Sequence, residues 1–202
     1  MSNDSPKSVE SSTAAHLNQS LAAHLEIIQK VLESNVPDIE RAGQLICSAL
    51  RAGHKVLLCG NGGSAADAQH IAAELVGRYE DRRRAWPAIA LTTDTSALTA
   101  VSNDYGFEQV FARQVEALAA AGDVLVAIST SGKSRNVIRA AEVARALGCK
   151  TIALTGIDGE PLVSLCDVAV SVPSERTARV QEVHITIGHL WCEMVDGTGL
   201  GC

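Results

Sequence analysis

The sequence predicts an α/β domain, a three-layer sandwich whose mostly parallel sheet of five strands lies between two layers of helices. Three observations support this. Five short runs are continuously apolar, each is bounded by turn residues, and helix-like stretches separate most of them. Such runs are typical of parallel strands covered on both faces. The predicted strands span residues 56–59, 88–91, 124–128, 151–154 and 168–172.

Helical periodicity precedes the first strand and recurs after it. Residues 14–32 place apolar side chains on one stripe, and Pro37 separates them from a second helix that ends at Gly53. Residues 1–13 are rich in Ser, Asn and Asp and are predicted to be a disordered tail. Residues 14–202 are predicted to form a single domain with a helical N-terminal extension. Its helices are expected at 14–32, 38–52, 65–78, 108–121, 134–147 and 177–195.

The composition argues against polyanionic partners and membranes. A net charge of -6 gives no reason to expect nucleic acid as a partner. The basic run Arg82-Arg83-Arg84 has no interleaved aromatic residues and is interpreted as a solvated loop. No apolar run approaches the roughly 20 residues of a membrane span, and the N-terminus lacks the apolar region of a signal peptide. Six scattered cysteines without a CxxC pair predict reduced thiols and a cytoplasmic location.

The loop after the first strand is rich in glycine and opens a helix. In open parallel sheets, ligands bind beyond the carboxyl ends of the strands, so this loop, residues 60–64, is a candidate site. It formally matches the dinucleotide fingerprint G-x-G-x-x-A. However, Glu80 and Asp81 precede the second strand, whereas the fingerprint requires an acidic residue at its end. A nucleotide is therefore not favoured.

The loop after the third strand, residues 129–134, carries four hydroxyl groups and leads into a helix N-terminus. Hydroxyls and N–H groups there can solvate a phosphate. A P-loop is excluded because Ala127 occupies the position of its first glycine. The alternative is a serine-rich loop in which Ser134 only caps the helix. A second hydroxyl- and glycine-rich loop at the same sheet edge favours phosphate binding.

Two helices carry candidate acid–base or metal-binding side chains. His70 and Glu74 are four residues apart and share a helical face, as a merely helix-stabilising pair also would. On the last helix, Gln181 and His189 are eight residues apart, about 80° around the axis, so both can face one cleft. The alternative for His189 is a buried histidine satisfied by a neighbour. His184 is interpreted as structural.

Five segments together resemble the sugar isomerase (SIS) family. The resemblance covers the chain from about Lys55 to Glu193, and the predicted N-terminal helices also fit it. It implies a flavodoxin-like sheet, a homotetramer, and an isomerase of a phosphorylated seven-carbon sugar. That reaction converts sedoheptulose 7-phosphate to glycero-manno-heptose 7-phosphate through an ene-diol(ate), in the synthesis of lipopolysaccharide core heptose. The matching segments are CGNGGSAADAQHIAAEL, VSNDYGF, GDVLVAISTSGKS, TGIDG and RVQEVHITIGH.

The resemblance also implies roles for individual residues. The proton-transfer pair maps to Glu74 and His189. A bound zinc ion maps to His70, Glu74, Gln181 and His189. The phosphate loop maps to Ser129, Thr130, Ser131 and Ser134. The sugar contacts map to Asn61, Gly62, Gly63, Ser64, Glu74, Asn103, Asp104 and Gln181.

Two alternatives remain open at this stage. A non-catalytic relative could bind the replication initiator or sense a phosphosugar, and segments AIALTTDTSALTA and PSERTARVQE resemble initiator-binding relatives. Such proteins can lose the proton-transfer pair, whereas both Glu74 and His189 are present here. A second alternative is an isomerase of a pentose or hexosamine phosphate.

Overall fold

The structure, a computed structural model, describes residues 7–197, with side chains from residue 12 onward. Five parallel strands form one sheet in the order β2-β1-β3-β4-β5. The strands are β1 Val56–Gly60, β2 Ala88–Ala90, β3 Val124–Ile128, β4 Lys150–Gly156 and β5 Val168–Val172. The helices are α1 Lys7–Ser34, α2 Val36–Arg51, α3 Gly63–Val76, α4 Thr95–Tyr105, α5 Ala112–Leu118, α6 Arg135–Ala146, α7 Leu162–Leu165 and α8 Thr177–Asp196.

Two hydrophobic cores lie on opposite faces of the sheet. Successive side chains of a strand point to opposite faces. Leu58 and Val126 therefore join the core beneath α2, α3 and α8. Leu57 and Leu125 join the second core, with residues of α5 and α6. Because both faces are covered, the inner strands β1 and β3 are buried throughout, whereas the edge strands β2 and β5 are only partly buried. The predicted three-layer sandwich is confirmed.

The helices between the strands differ from the predictions at three places, one of which is the short α7, which was not predicted. The sequence did not predict α4, which contains no buried residue and so lacks a clear apolar stripe. Its start carried a local signal, since the Asp94 side chain accepts a hydrogen bond from the Ala97 N–H as an N-cap. The predicted helix 108–121 is shorter, because a 3₁₀ turn at Phe107–Gln109 precedes α5.

The N-terminal helix begins earlier than predicted. The tail was predicted over 1–13, but α1 begins at Lys7, so its helical part includes residues 7–13. Once a helix exists, each added residue contributes a hydrogen bond at little further cost. The first six residues of the predicted tail lie outside the described part of the chain.

Arg83 does not belong to a solvated loop, as was predicted for Arg82-Arg83-Arg84. Its guanidinium forms an ion pair with Asp196, and only 11% of its side chain is exposed. The guanidinium of Arg84 lies 3.8 Å from the ring centroid of Trp86. The prediction was wrong at Arg83, because the carboxylate that holds it comes from α8, far along the chain, whereas Arg82 and Arg84 are exposed outside any helix or strand.

Two expectations drawn from composition can be compared with the structure. Cys59, Cys149, Cys166 and Cys192 are free thiols. Cys47 is disulfide-bonded, so the expectation that all thiols are reduced is wrong at this position. Spacing along the chain does not reveal which cysteines folding brings together. Among the described helices, none is long and apolar enough to cross a membrane.

Candidate functional site

The two candidate loops meet where the strand order reverses. β1 lies beside β3, and Gly60 at the end of β1 pairs with Ile128 at the end of β3. In this strand order, ligands bind in the crevice beyond the carboxyl ends of these two strands. The loop after β1 and the loop over 129–134 therefore border one crevice, as the sequence predicts.

A pair of asparagine side chains joins these loops. Asn61 Nδ2 donates to Asn136 Oδ1 at 2.9 Å, and Asn136 Nδ2 donates to Asn61 Oδ1 at 2.8 Å. Asn136 is only 3% exposed, so this reciprocal contact satisfies polar groups that burial would otherwise penalise. The sequence analysis missed Asn136, which carried no motif. Both residues line a cavity of about 490 Å³, together with Gly106, Phe107, Glu108, Ser134 and Arg135.

The loop over 129–134 is held in a fixed shape. Ser129 Oγ donates to Ser134 Oγ at 3.0 Å, and the Thr130 carbonyl accepts from Gly156 N–H at 2.9 Å. Gly132 has φ +65°, and a Cβ there would collide with the backbone of Gly159. Ser134 is the N-cap residue of α6, but its side chain accepts no hydrogen bond from an N–H group in the described part of that helix. The first N–H groups of α6 are therefore not satisfied by this side chain, which favours anion binding over the simple cap.

The first turn of α3 belongs to the same crevice. Gly62 precedes the helix with φ +55°, and the buried Ser64 donates its N–H to the Asn61 carbonyl at 3.0 Å. A Cβ at Gly63 would collide with the amide of Gln181. Because Gly63 has no side chain, the Gln181 amide can pack against its backbone. Gln181 of α8 is therefore placed beside the glycine-rich loop.

Asn103 and Asp104 lie apart from these loops. They occupy the last turn of α4, both are exposed, and Asn103 Nδ2 donates to Asp104 Oδ1 at 2.8 Å. Gly106 and Phe107, which follow one residue later in the chain, do line the crevice. The structure therefore places Asn103 and Asp104 near the cavity but shows no contact between them and the other predicted sugar-binding residues.

The acid–base candidates of α3 and α8 converge further along these helices. His70 Nε2 lies 2.9 Å from His189 Nε2 and 3.6 Å from Glu74 Oε1. One imidazole must donate and the other accept in this contact. The two helices approach closely because Gly188 has no side chain. A Cβ at this position would collide with the Ile71 side chain. His70 and His189 therefore contact each other, although 119 residues separate them.

Asp67 is a further titratable group of α3 that the sequence analysis missed. Burial raises the pKa of its carboxyl to about 6, and the charge of His70 opposes this shift. A perturbed carboxyl one turn before His70 is typical of functional sites. Neither its residue type nor its spacing distinguished it in the sequence.

Three of the four donors of the predicted zinc site fit zinc by type, since imidazole and carboxylate are common ligands of this metal, whereas the amide of Gln181 is not. Ligand atoms of tetrahedral zinc lie roughly 3.3 Å apart at bond lengths of about 2.0–2.1 Å. The distances of 2.9 and 3.6 Å from His70 Nε2 are close to this value. However, no cluster of three or more His, Cys, Asp or Glu within the described chain is arranged to hold a metal ion. Gln181 also lies against Gly63, two turns before His70.

His184 has the environment of a structural residue, as predicted. It is completely buried, and its Nε2 lies 3.1 Å from the Thr155 carbonyl oxygen. Burial lowers the pKa of His184 to about 4, because the imidazolium cannot be hydrated there, and the hydrogen bond to Thr155 only partly opposes this.

This burial predicts a pH dependence of stability. The unfolded chain binds a proton at the ordinary pKa of about 6.5, before the folded protein does, so acidification favours unfolding. The free energy of unfolding should fall by about 2 kcal/mol between pH 7.5 and pH 5 through His184 alone. Urea unfolding of the wild type and of His184→Gln at both pH values measures it. An equal loss of unfolding free energy in the wild type and in His184→Gln would show that His184 does not cause this pH dependence.

Comparison with known proteins agrees with this fold. The model of the SIS domain family matches residues 20–156, and the chain belongs to that family. Phosphoheptose isomerases from Aliarcobacter butzleri and Nitratiruptor are 59% and 58% identical to it over 174 and 181 residues. These alignments cover 86% and 90% of this chain and 92% and 97% of the relatives. Within the SIS proteins, the chain belongs to the phosphoheptose isomerase family.

Two solved structures extend the comparison to three dimensions. The phosphoheptose isomerase from Neisseria gonorrhoeae superimposes with a TM-score of 0.86 at 46% identity, over 94% of this chain and 100% of that one. The phosphoheptose isomerase from Francisella tularensis has a TM-score of 0.88 at 40% identity, over 91% of this chain and 98% of that one. The fold of this chain is thus shared along almost its whole length.

Proposed function

We propose that this protein is an aldose–ketose isomerase that converts sedoheptulose 7-phosphate to glycero-manno-heptose 7-phosphate, for the synthesis of lipopolysaccharide core heptose. Its membership of the phosphoheptose isomerase family supports this reaction. The observation that carries the proposal is the contact between His70 and His189 beside Glu74. The same chain has a hydroxyl-lined loop where the strand order reverses.

The loop over 129–134 binds the phosphate. Ser129, Thr130, Ser131 and Ser134 supply hydroxyl groups, and the N-terminus of α6 supplies N–H groups and a favourable dipole. The phosphate is remote from the reacting carbons, so its binding energy serves to place them. Asn61, Gly62, Gly63, Ser64 and Gln181 lie beside this loop in the crevice and contact the sugar, with Asn103 and Asp104 near its entrance.

Glu74 and His189 transfer protons. The carboxylate of Glu74 removes the proton that moves between C1 and C2, and the imidazole of His189 moves the hydroxyl proton between O1 and O2. A well-placed acid or base contributes about 10²–10⁴-fold to the rate. His70, through its contact with His189, orients that imidazole and sets which ring nitrogen carries the proton.

A zinc ion is part of the proposal. His70, Glu74 and His189 would hold it only after their side chains turn toward one point, and Gln181 would join them only after its side chain leaves Gly63. A bound zinc ion would polarise the sugar oxygens. A carboxylate or imidazole bound to zinc is a weaker base, so the two roles of Glu74 and of His189 compete.

Self-association, to a homotetramer, is also proposed. Glu74 follows Ser64 by ten residues, about 15 Å along α3. A seven-carbon chain with its phosphate spans roughly 10 Å at single-bond lengths of about 1.5 Å. Phosphate held at the crevice of one chain would therefore require the Glu74 of another.

The exposed face of α1 supports this assembly. Leu17, Leu21, Leu25 and Leu32 are 57–67% exposed on a helix that spans 28 residues. An apolar stripe of this length is typical of a protein–protein interface. Light scattering should give a mass several times that of the 21.2 kDa chain. The mass of a single chain would contradict the proposed assembly.

Incubation of the purified protein with sedoheptulose 7-phosphate, with and without a chelator, tests the function. The aldose product should appear, and removal of zinc should lower turnover until zinc is restored. A pentose or hexosamine phosphate offered in parallel should react poorly. An inactive protein that retained the replication initiator in a pull-down would instead support the non-catalytic alternative.

A further inference from the structure

The connection between α3 and β2 contacts both helices that carry the acid–base candidates. We propose that Arg83 in this connection, held by Asp196, is a positioning residue for Glu74 and His189. The inference rests on the proposed isomerase function. It concerns a residue outside the crevice that contacts no predicted substrate-binding side chain.

Arg83 binds the end of α3. Its Nη2 donates to the Glu74 carbonyl at 2.8 Å, and its Nη1 donates to the Leu75 carbonyl at 2.9 Å. The last four carbonyls of a helix have no partner within the helix. The guanidinium thus fixes the backbone of the residue whose side chain is the proposed base.

Arg83 also joins α3 to the end of α8. Its Nε donates to Asp196 Oδ1, while Asp196 Oδ2 accepts from the N–H groups of Glu80 at 2.9 Å and Asp81 at 3.2 Å. The Asp196 side chain is only 4% exposed. Burial alone would raise the pKa of Asp196, but these hydrogen bonds lower it, so the carboxylate remains charged at neutral pH.

The same connection reaches His189. Tyr79 lies three residues after the end of α3, and its ring centroid is 5.2 Å from that of His189. Residues 79–83 therefore contact the backbone of Glu74, the ring of His189 and the end of α8. Their arrangement fixes the distance between the proposed base and its partner imidazole, because Arg83 and Asp196 connect the two helices directly.

This role requires arginine. Its planar guanidinium presents several donors in a fixed fork, whereas lysine offers a single point charge. A displacement of about 1 Å in a catalytic group can cost on the order of 100-fold in rate. Arg83→Met keeps much of the side-chain length and removes the donors. Arg84→Met is the matched control, since the Arg84 guanidinium lies over the Trp86 ring.

Steady-state kinetics with sedoheptulose 7-phosphate should separate positioning from binding. In Arg83→Met we expect kcat to fall by about tenfold or more with KM within about threefold, while Arg84→Met stays within about twofold of wild type. In a Glu74→Gln background, Arg83→Met should cause a clearly smaller fold-loss of kcat than in the wild type, because only the part of its effect that acts through His189 remains. Arg83→Lys, which retains the charge, should recover only part of kcat.

Hydrogen exchange provides a readout that is independent of turnover. The amides of the last turn of α3 and of residues 77–79 should exchange at least about tenfold faster in Arg83→Met, with the amides of β1 and β3 unchanged. The proposal would be overturned if these amides exchanged at the wild-type rate in Arg83→Met. It would also be overturned if Arg83→Met lowered kcat by the same factor in the wild-type and Glu74→Gln backgrounds. A wild-type protein without isomerase activity would refute the proposed function, and exchange would still decide whether Arg83 fixes the end of α3.

Discussion

Replacement of Glu74 by glutamine should lower kcat by about 10² or more and leave the KM for sedoheptulose 7-phosphate within about threefold. Glutamine has nearly the shape of glutamate but cannot accept the proton, so packing against His70 is retained while the base is lost. The exposed Glu142, which pairs with Arg139 on α6, provides the matched control. Glu142→Gln should leave both constants unchanged.

The same variant separates the two proposed roles of Glu74. If Glu74 acts mainly as the base, Glu74→Gln should retain zinc and remain inactive when more zinc is added. If it acts mainly as a ligand, its zinc content should fall and excess zinc should restore turnover, because the amide oxygen is a weaker donor than a carboxylate. Turnover within threefold of wild type, in either case, would refute Glu74 as the base.

Replacement of Gly132 by alanine should raise the KM for the sugar phosphate by about tenfold or more. Two effects combine at this position. A residue other than glycine in the left-handed region costs about 1–2 kcal/mol, and the new Cβ would collide with the backbone of Gly159. Relief of that collision requires displacement of the loop over 129–134, whose N–H and hydroxyl groups are proposed to bind the phosphate.

Gly53→Ala distinguishes these two effects. Gly53 has φ +86°, but no atom lies within 4 Å of a Cβ built there. This variant should lose about 1–2 kcal/mol of unfolding free energy and keep a normal KM. Chemical denaturation and steady-state kinetics measure both quantities. A wild-type KM in Gly132→Ala would contradict phosphate binding by this loop.

Much of the fold could be predicted because its signals are local. The strands at 124–128 and 168–172 were predicted with the bounds the structure has, since an apolar run and its turn residues are read within one short segment. Helix α4 could not be predicted in this way, because it is half-exposed and has no apolar stripe. Local signals also gave the position of the two loops, since parallel strands end at one edge of the sheet.

The candidate site was predictable only in its residue types. The spacing of His70 and Glu74 showed that they share a helical face, but not that His70 contacts His189. The resemblance to a family supplied that grouping. The resemblance did not predict that Gln181 packs against the glycine-rich loop. This contact is possible because Gly63 has no side chain.

By itself, the sequence determined the strands, the two loops at the sheet edge and the chemistry that their side chains offer. Only the tertiary structure decided which distant residues meet: His70 with His189, Asn61 with Asn136, and Arg83 with Asp196. These pairs are 119, 75 and 113 residues apart. Periodicity and turn chemistry act over a few residues, whereas these contacts depend on how helices pack on the sheet, so no local pattern specifies them.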